Sequence, residues 1–314
     1  IMIFYKIWSI LEWYLRPFIK WFLRKTTRLC ELQRICYGEK PGAPRNIKVE
    51  QSLTLSRTRE IKEVISYLDA VILEKKFVSS SFEGVFDPAI NIIMKVKKIN
   101  PKAHEIFTIS IMECLEDIWS YKQVLNDVED MRKTPFDSDN PEHEKKLLFL
   151  WALLMPNEPL ENRITKQWQD IGFQGDDPKT DFRGMGLLGL ENLLYFASKY
   201  SLAACHVLSH SHHPEYGYTF AVVGINLTAM AYYLLKNGPA KTYMYNYKNH
   251  PIDIDLFHKL YCYLFYEFDK LWIDSKPKNM MEFSVIFDKF ENAIKEKMAD
   301  PASVFRINLK IDTV

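Results

Sequence analysis

An all-α fold is what this sequence predicts, and three observations predict it. Apolar residues recur at helical spacing, as at Ile111, Leu115, Ile118, Leu125 and Val128. They do so again at Phe257, Leu260, Leu264, Phe268 and Leu271, with Asp255, Lys259, Lys270 and Asp274 on the other side. No pair of alternating apolar–polar strands flanks an Asn-Gly or Asp-Gly turn. The breaks are DSDNP at 137–141, GDDP at 175–178, HHPEYG at 212–217 and NGP at 237–239, all residues that end helices. Of 314 residues, 47% are apolar and 26% charged, ordinary for a globular chain with a full core. There is no internal repeat and no low-complexity tract.

The first helix is expected over residues 1–28, IMIFYKIWSILEWYLRPFIKWFLRKTTR. Trp8, Trp13, Phe18 and Trp21 give it an aromatic side, and Glu12, Arg16, Lys20, Arg24 and Arg28 recur four apart. Six cations against Glu12 leave the segment at +5, while the whole chain is +1, so the basic character is local. No uncharged run here reaches the roughly 18–20 residues of a bilayer span. The positive charges follow the apolar run, the reverse of a secretory signal. A basic face opposite Trp and Phe fits a helix lying in a membrane interface, with Trp8, Trp13, Phe18, Trp21, Lys20 and Arg24 as contacts. Docking on its own domain would also account for the aromatics. Pro17 is expected to kink this helix or split it in two.

Residues 29–100 read as linker and helical lead-in, with 29–60, around KPGAP, poorly packed. The main domain is expected over 101–300, followed by a tail at 301–314. Within it, Lys145–Met155 and Glu282–Met298 continue the helical pattern. Tyr218–Leu235 is eighteen residues without a charge. Its Asn226, Thr219, Thr228, Gly224 and three tyrosines suit the centre of a helical domain better than a bilayer.

Net charge argues against a dedicated nucleic-acid binder. Five cysteines without C-x-x-C spacing fit a reducing, cytoplasmic setting and argue against a disulfide framework or a zinc site. His206 and His210 share a helical face in CHVLSHSHHPE, but the segment runs into a loop, and its histidines are expected at the surface with no metal.

The stretch TDFRGMGLLGLENLLYF, 180–196, holds a formal G-x-G-x-x-G. A dinucleotide loop follows a buried strand and has an acid roughly 20 residues on. GDDPKTDFR precedes Gly184 instead, and a serine–histidine stretch lies beyond, so the dinucleotide reading fails. Gly184, Gly186 and Gly189 each cost a helix roughly 1 kcal/mol relative to alanine, which close helix packing would offset. Asp181 or Thr180 is the expected N-cap of a helix whose buried stripe is Leu187, Leu190, Leu194 and Ala197. Arg183 is then a cation at a helix start, where the dipole disfavours it. It can be a structural ion pair with Asp176, Asp177 or Asp181, or a ligand for phosphate oxygens, which arginine suits.

The run WQDIGFQGDDPKTDFRGMGLLGL from Trp168 resembles the signature of the ELMO domain. CELQRIC at 30–36, DVED at 127–130, DSDNPEHE at 137–144 and GYTFAVVGINLT at 217–228 extend the resemblance to nearly the whole chain, in the small ELMO domain-containing (ELMOD) branch. Departures lie mainly at the ends and in 75–86. The resemblance implies a GTPase-activating protein for Arf-family small GTPases, the Arf-like branch in particular. It would be a regulator rather than an enzyme, acting on the GTP and Mg²⁺ of its partner with no cofactor of its own. The arginine required in that family corresponds to Arg183; the larger ELMO scaffold proteins lack it. An arginine supplied in trans is worth about 10³–10⁵ in rate. Gln174, Asp181, Thr180, Gly184 and Gly186 are the expected supporting or GTPase-contacting residues. Gln174 would orient Arg183, touch the GTPase or bond local backbone, and Asp181 would be a cap or arginine buttress. The family also suggests peripheral association with mitochondria, endoplasmic reticulum or lipid droplets. A non-catalytic helical adaptor for GTPases or membrane proteins is the alternative.

Overall fold

Thirteen α-helices and no strand make up the described part of the computed structural model, residues 2–74, 84–247 and 252–305, with side chains described from Tyr14 onward. The all-α expectation holds. The chain divides into two compact units, residues 1–120 and 121–314.

The first unit contains α1 (Met2–Thr27), α2 (Glu31–Gly38), α3 (Ala43–Thr54), α4 (Arg59–Leu73), α5 (Asp87–Lys97) and the first part of α6 (Glu105–Lys133). Pro17 does not divide α1, which runs through it as one helix. Proline removes its own N–H bond and crowds the carbonyl four residues back, but the turns on either side continue. Residues 29–60 are not a poorly packed linker. They form α2 and α3, and Leu32, Ala43, Val49 and Leu53 are buried. Short amphipathic helices separated by Gly and Pro were hidden by their own punctuation: Gly42 takes φ 95° and Pro44 opens α3. Arg45, almost fully buried, donates to Ser110 Oγ and Glu113 Oε2, both at 2.6 Å, which pins α3 to α6. A buried cation left without such partners would be strongly destabilising.

The second unit contains the end of α6, then α7 (Pro141–Leu154), α8 (Gly186–Lys199), α9 (Ser201–Ser211), α10 (Phe220–Lys236), α11 (Ala240–Asn246), α12 (Ile254–Ser275) and α13 (Phe283–Ala299). Helix α10 is the uncharged segment. It packs against α8, α9, α11 and α12, and its Phe220, Val223, Leu227, Leu234 and Leu235 are all buried. Being surrounded on most sides explains why it is apolar nearly all round. Gly224 permits the close approach: a Cβ there would come under 3.0 Å from Leu193 and the Tyr261 hydroxyl. Among the described residues no helix is long and apolar enough to cross a membrane. Asn192, Thr228 and His258 are buried here and partner one another. Asn192 donates to Thr228 at 3.1 Å, Thr228 donates to the Gly224 carbonyl at 3.0 Å, and His258 Nδ1 meets Asn192 Oδ1 at 2.7 Å.

Candidate functional site

Between α7 and α8 the chain makes two short 3₁₀ turns, Lys166–Ile171 and Pro178–Arg183. The second exists because Asp177 caps it, accepting from Lys179 N at 3.0 Å, and because Pro178 supplies a preset φ and no surplus donor. Arg183 therefore closes a 3₁₀ turn. It does not open α8, as the sequence suggested: α8 begins at Gly186, with Met185 before it and no side-chain cap. Neither Thr180 nor Asp181 caps that helix. Asp181 instead accepts the Gln174 N–H at 2.9 Å, tying the loop after the first turn to the second. Burial raises the Asp181 pKa above its ordinary value, although the Gln174 N–H, Thr180 and the Arg183 charge all favour the carboxylate.

Aromatic rings hold this segment from below. Trp151, Trp168, Phe173, Phe182 and Phe136 form a chain with successive ring centroids 5.4–5.8 Å apart. All five are nearly fully buried, so Trp168 and Phe173 are core anchors as expected. Trp151 Nε1 donates to the Glu158 carbonyl at 2.7 Å and Trp168 Nε1 to the Arg163 carbonyl at 2.9 Å, which satisfies both indoles. Arg163 is bidentate to Glu144 and also reaches Asp177 at 3.1 Å.

Two glycines fix the ends of the segment. Gly172, at φ 82°, lies so close to α10 that a Cβ would come under 3.0 Å from the Phe220 nitrogen; its carbonyl accepts from Val222 N at 3.2 Å. Gly186, at φ 53°, lies on the end of α6, where a Cβ would come under 3.0 Å from the Arg132 and Thr134 carbonyl oxygens. The Leu187 N–H donates to the Thr134 carbonyl at 2.9 Å across the same junction. Gly189 touches Phe182 and Ile225 and does serve close packing. Gly184 does not: it is exposed, and a Cβ there would meet nothing within 4 Å.

Arg183 itself is exposed, and its guanidinium makes no hydrogen bond or ion pair with any described residue. The three acids that sequence offered as structural partners are engaged elsewhere. Asp176 accepts from Gln169 at 3.2 Å, Asp177 takes Arg163 and Lys179 N, and Asp181 takes Gln174 N. The side chains of Gln174 and Thr180 are also exposed, and they lie with Gly184 in the segment that presents Arg183. The turn thus offers an unpaired, fork-shaped donor on a braced backbone, with no side chain at Gly184 to obstruct an approaching surface.

The basic and aromatic residues of α1 belong to the first unit. Trp8 and Trp13 lie where side chains are outside the described residues. Phe18 is 62% and Trp21 57% exposed. The basic stripe faces the other way: Arg16 and Lys20 both bind Glu31, at 3.1 and 2.5 Å, and Arg24 donates to the Lys97 carbonyl at 2.8 Å. Burial works against ionisation of Glu31, yet hydrogen bonds from Lys20 and Ser52 and the nearby Arg16 outweigh it, and its pKa is lowered.

The histidines are less exposed than expected. His206 and His210 are half-buried beside the buried Asp269, and ligand-type atoms of the three lie within 4.8 Å of one another. The carboxylate is already used: Tyr218 donates to Oδ1 and His210 Nδ1 meets Oδ2, each at 2.7 Å. The arrangement pins α9 and the approach to α10 onto α12.

Comparison with known proteins points to one family. Residues 126–287, which include both 3₁₀ turns and the core helices, match the ELMO/CED-12 family model. ELMO domain-containing protein 2 of Bos taurus is 46% identical over 287 residues, covering 91% of this chain and 93% of the relative. ELMO domain-containing protein 1 of Mus musculus is 44% identical, covering 90% of this chain and 88% of the relative. ELMO domain-containing protein B of Dictyostelium discoideum is 34% identical, over 88% and 93%. No solved structure matches. With a family model over half its length and such relatives over nearly all of it, the chain belongs to the ELMO/CED-12 family, among its ELMO domain-containing members.

Proposed function

We propose that this protein is a GTPase-activating protein for Arf-family small GTPases, the Arf-like branch in particular, and that Arg183 acts in trans as its arginine finger. One observation carries the reading: an exposed guanidinium without an ion-pair partner among the described residues, set on a turn braced at both ends by glycine contacts. A purely structural arginine would hydrogen-bond or ion-pair with Asp176, Asp177 or Asp181; Arg183 reaches Asp181 only through the field of its charge, and the three carboxylates bond other groups.

In phosphoryl transfer to water, negative charge spreads over the oxygens of the departing γ-phosphoryl group. A planar guanidinium donates to two of those oxygens at once and stabilises them most where charge is greatest, in the transition state. The GTPase supplies the nucleotide, the Mg²⁺ and the residue that positions water; this chain supplies the fork. Asp181 acts at one remove, holding the loop backbone at Gln174; Gln174, Thr180 and Gly184 shape the contact face, and the buried Gly186 supports it from the end of α6. No cofactor of its own enters the reaction. The exposed rings of α1 lay the protein on the cytoplasmic surface of a membrane, where lipidated GTPases reside; mitochondria, endoplasmic reticulum and lipid droplets are the candidate membranes.

The test is single-turnover GTP hydrolysis on a panel of GTP-loaded Arf-like and Arf GTPases, with wild type and Arg183→Lys. Lysine keeps the charge but not the fork. Loss of most of the acceleration, with circular dichroism and GTPase binding unchanged, supports the finger. Full activity in the lysine variant assigns Arg183 to docking. No acceleration by wild type on any GTPase leaves a non-catalytic adaptor.

A further inference from the structure

The basic stripe of α1 also walls a small cavity. Arg16 and Lys20, Arg57 after α3 and Lys97 at the end of α5 converge on a space of about 210 Å³, with Pro17 and Ser56 between them. No carboxylate lines it. Glu31 holds Arg16 and Lys20 and fixes where their charges sit, but one carboxylate offsets only one of the two cations. Arg16 Nε is a buried donor with no partner among the described residues. The half-buried Lys97 ammonium has no hydrogen bond or ion pair with any described residue. Burial first, and then Lys20 and Arg24, hold the Lys97 pKa below the ordinary lysine value. Among these converging cations the unmet donors are Arg16 Nε and the Lys97 ammonium, which is costly unless an anion completes them.

The location says which anion. At about 100° of rotation per residue, Pro17 lies on the flank of α1 between the basic stripe and the side bearing Trp21 and Phe18. A cavity opening on that flank lies at headgroup depth when the exposed rings enter the acyl boundary. Arg16, Lys20 and Lys97 against the single charge of Glu31 leave two positive charges, which suit a doubly charged phosphomonoester better than a singly charged diester.

We propose that this cavity binds the phosphate of an anionic lipid headgroup, of the phosphomonoester type found in phosphatidic acid. The proposal rests on α1 lying on a membrane. It gives that helix a lipid preference in addition to its affinity for a surface.

The experiment is flotation of the full chain with vesicles of phosphatidylcholine alone, with added phosphatidylserine, and with added phosphatidic acid. Binding is expected to be strongest to phosphatidic acid. Lys97→Gln and Arg57→Gln should each weaken that binding about fivefold, the effect of one surface cation, with less effect on phosphatidylserine and none on phosphatidylcholine. Trp21→Ser should weaken binding to all three. Lys97→Gln retaining the full preference, or losing phosphatidylserine binding equally, overturns the headgroup site while the membrane reading stands. Flotation of wild type with no vesicle overturns the membrane reading and this proposal with it. Inorganic phosphate protecting the wild-type protein against thermal unfolding, without any preference among vesicles, assigns the cavity to a free anion and overturns the lipid source.

Discussion

Replacing Gly186 with alanine is the sharpest test of how the turn is held. Gly186 has φ 53°, and its missing Cβ would fall under 3.0 Å from the carbonyl oxygens of Arg132 and Thr134. Adopting that φ costs an L-residue about 1–2 kcal/mol. Relieving the overlap requires α8 to move off the end of α6, which breaks the 2.9 Å hydrogen bond from Leu187 N to the Thr134 carbonyl. Such a bond contributes about 1 kcal/mol net. Together these give a loss of about 2–3 kcal/mol, or about 4–12 °C in Tm for a unit of this size. The assay is thermal unfolding followed by circular dichroism, with Gly184→Ala as the control. Gly184 has φ −80° and open space around it, so alanine there should leave Tm unchanged or slightly raised. Hydrolysis should fall in both variants, in Gly186→Ala because Arg183 shifts and in Gly184→Ala because the contact face is obstructed. Equal melting of Gly186→Ala and wild type would refute the idea that this junction fixes the turn.

Three further outcomes are expected. Asp181→Ala leaves the Gln174 N–H without its acceptor, costing about 1 kcal/mol, and should lower GTPase activation more than it lowers GTPase binding; Asp181→Asn, which keeps a carbonyl acceptor, should retain most of both. Arg163→Ala removes the bidentate contact to Glu144 and the bond to Asp177, and should lower stability by about 1–2 kcal/mol in urea titration, since charge-assisted bonds exceed neutral ones. Burial holds the His258 pKa down at about 4, from an ordinary value of 6.5. The unfolded chain therefore takes up this proton first, and stability falls as pH drops from about 6.5 to about 4, by about 3 kcal/mol at most. His258→Asn, which keeps a donor toward Asn192, should flatten that part of the stability–pH curve.

The helices of the second unit were legible because their apolar residues repeat at helical spacing over long runs, and α10 was recognisable as core from its embedded Asn226, Thr228 and Gly224. Helices α2 and α3 were not, because each is short and flanked by the Gly and Pro that normally signal a loop. The site was half legible. Arg183 stood out as a cation with no helical reason to be there. That it closes a 3₁₀ turn, and that Asp181 bonds the Gln174 backbone, depended on the capping choice at Asp177, which local sequence does not decide among four nearby acidic and hydroxyl side chains. Nor does sequence show that Asp176, Asp177 and Asp181 are each taken by another group. Glu31 was missed for a similar reason: it lies fifteen residues from Arg16 and becomes its partner only when α1 folds back on α2.

In the proposed mechanism Arg183 contacts the transferring phosphoryl group. The most direct measurement of that contact is formation of a complex with an Arf-like GTPase loaded with GDP and aluminium fluoride, which imitates the planar phosphoryl group of the transition state. Wild type should bind that form more tightly than the GDP form or a form carrying a non-hydrolysable GTP analogue. Arg183→Lys should lose the extra affinity and keep its binding to the GTP-analogue form. Equal binding of wild type and the lysine variant to the aluminium fluoride complex would mean that Arg183 does not contact that group.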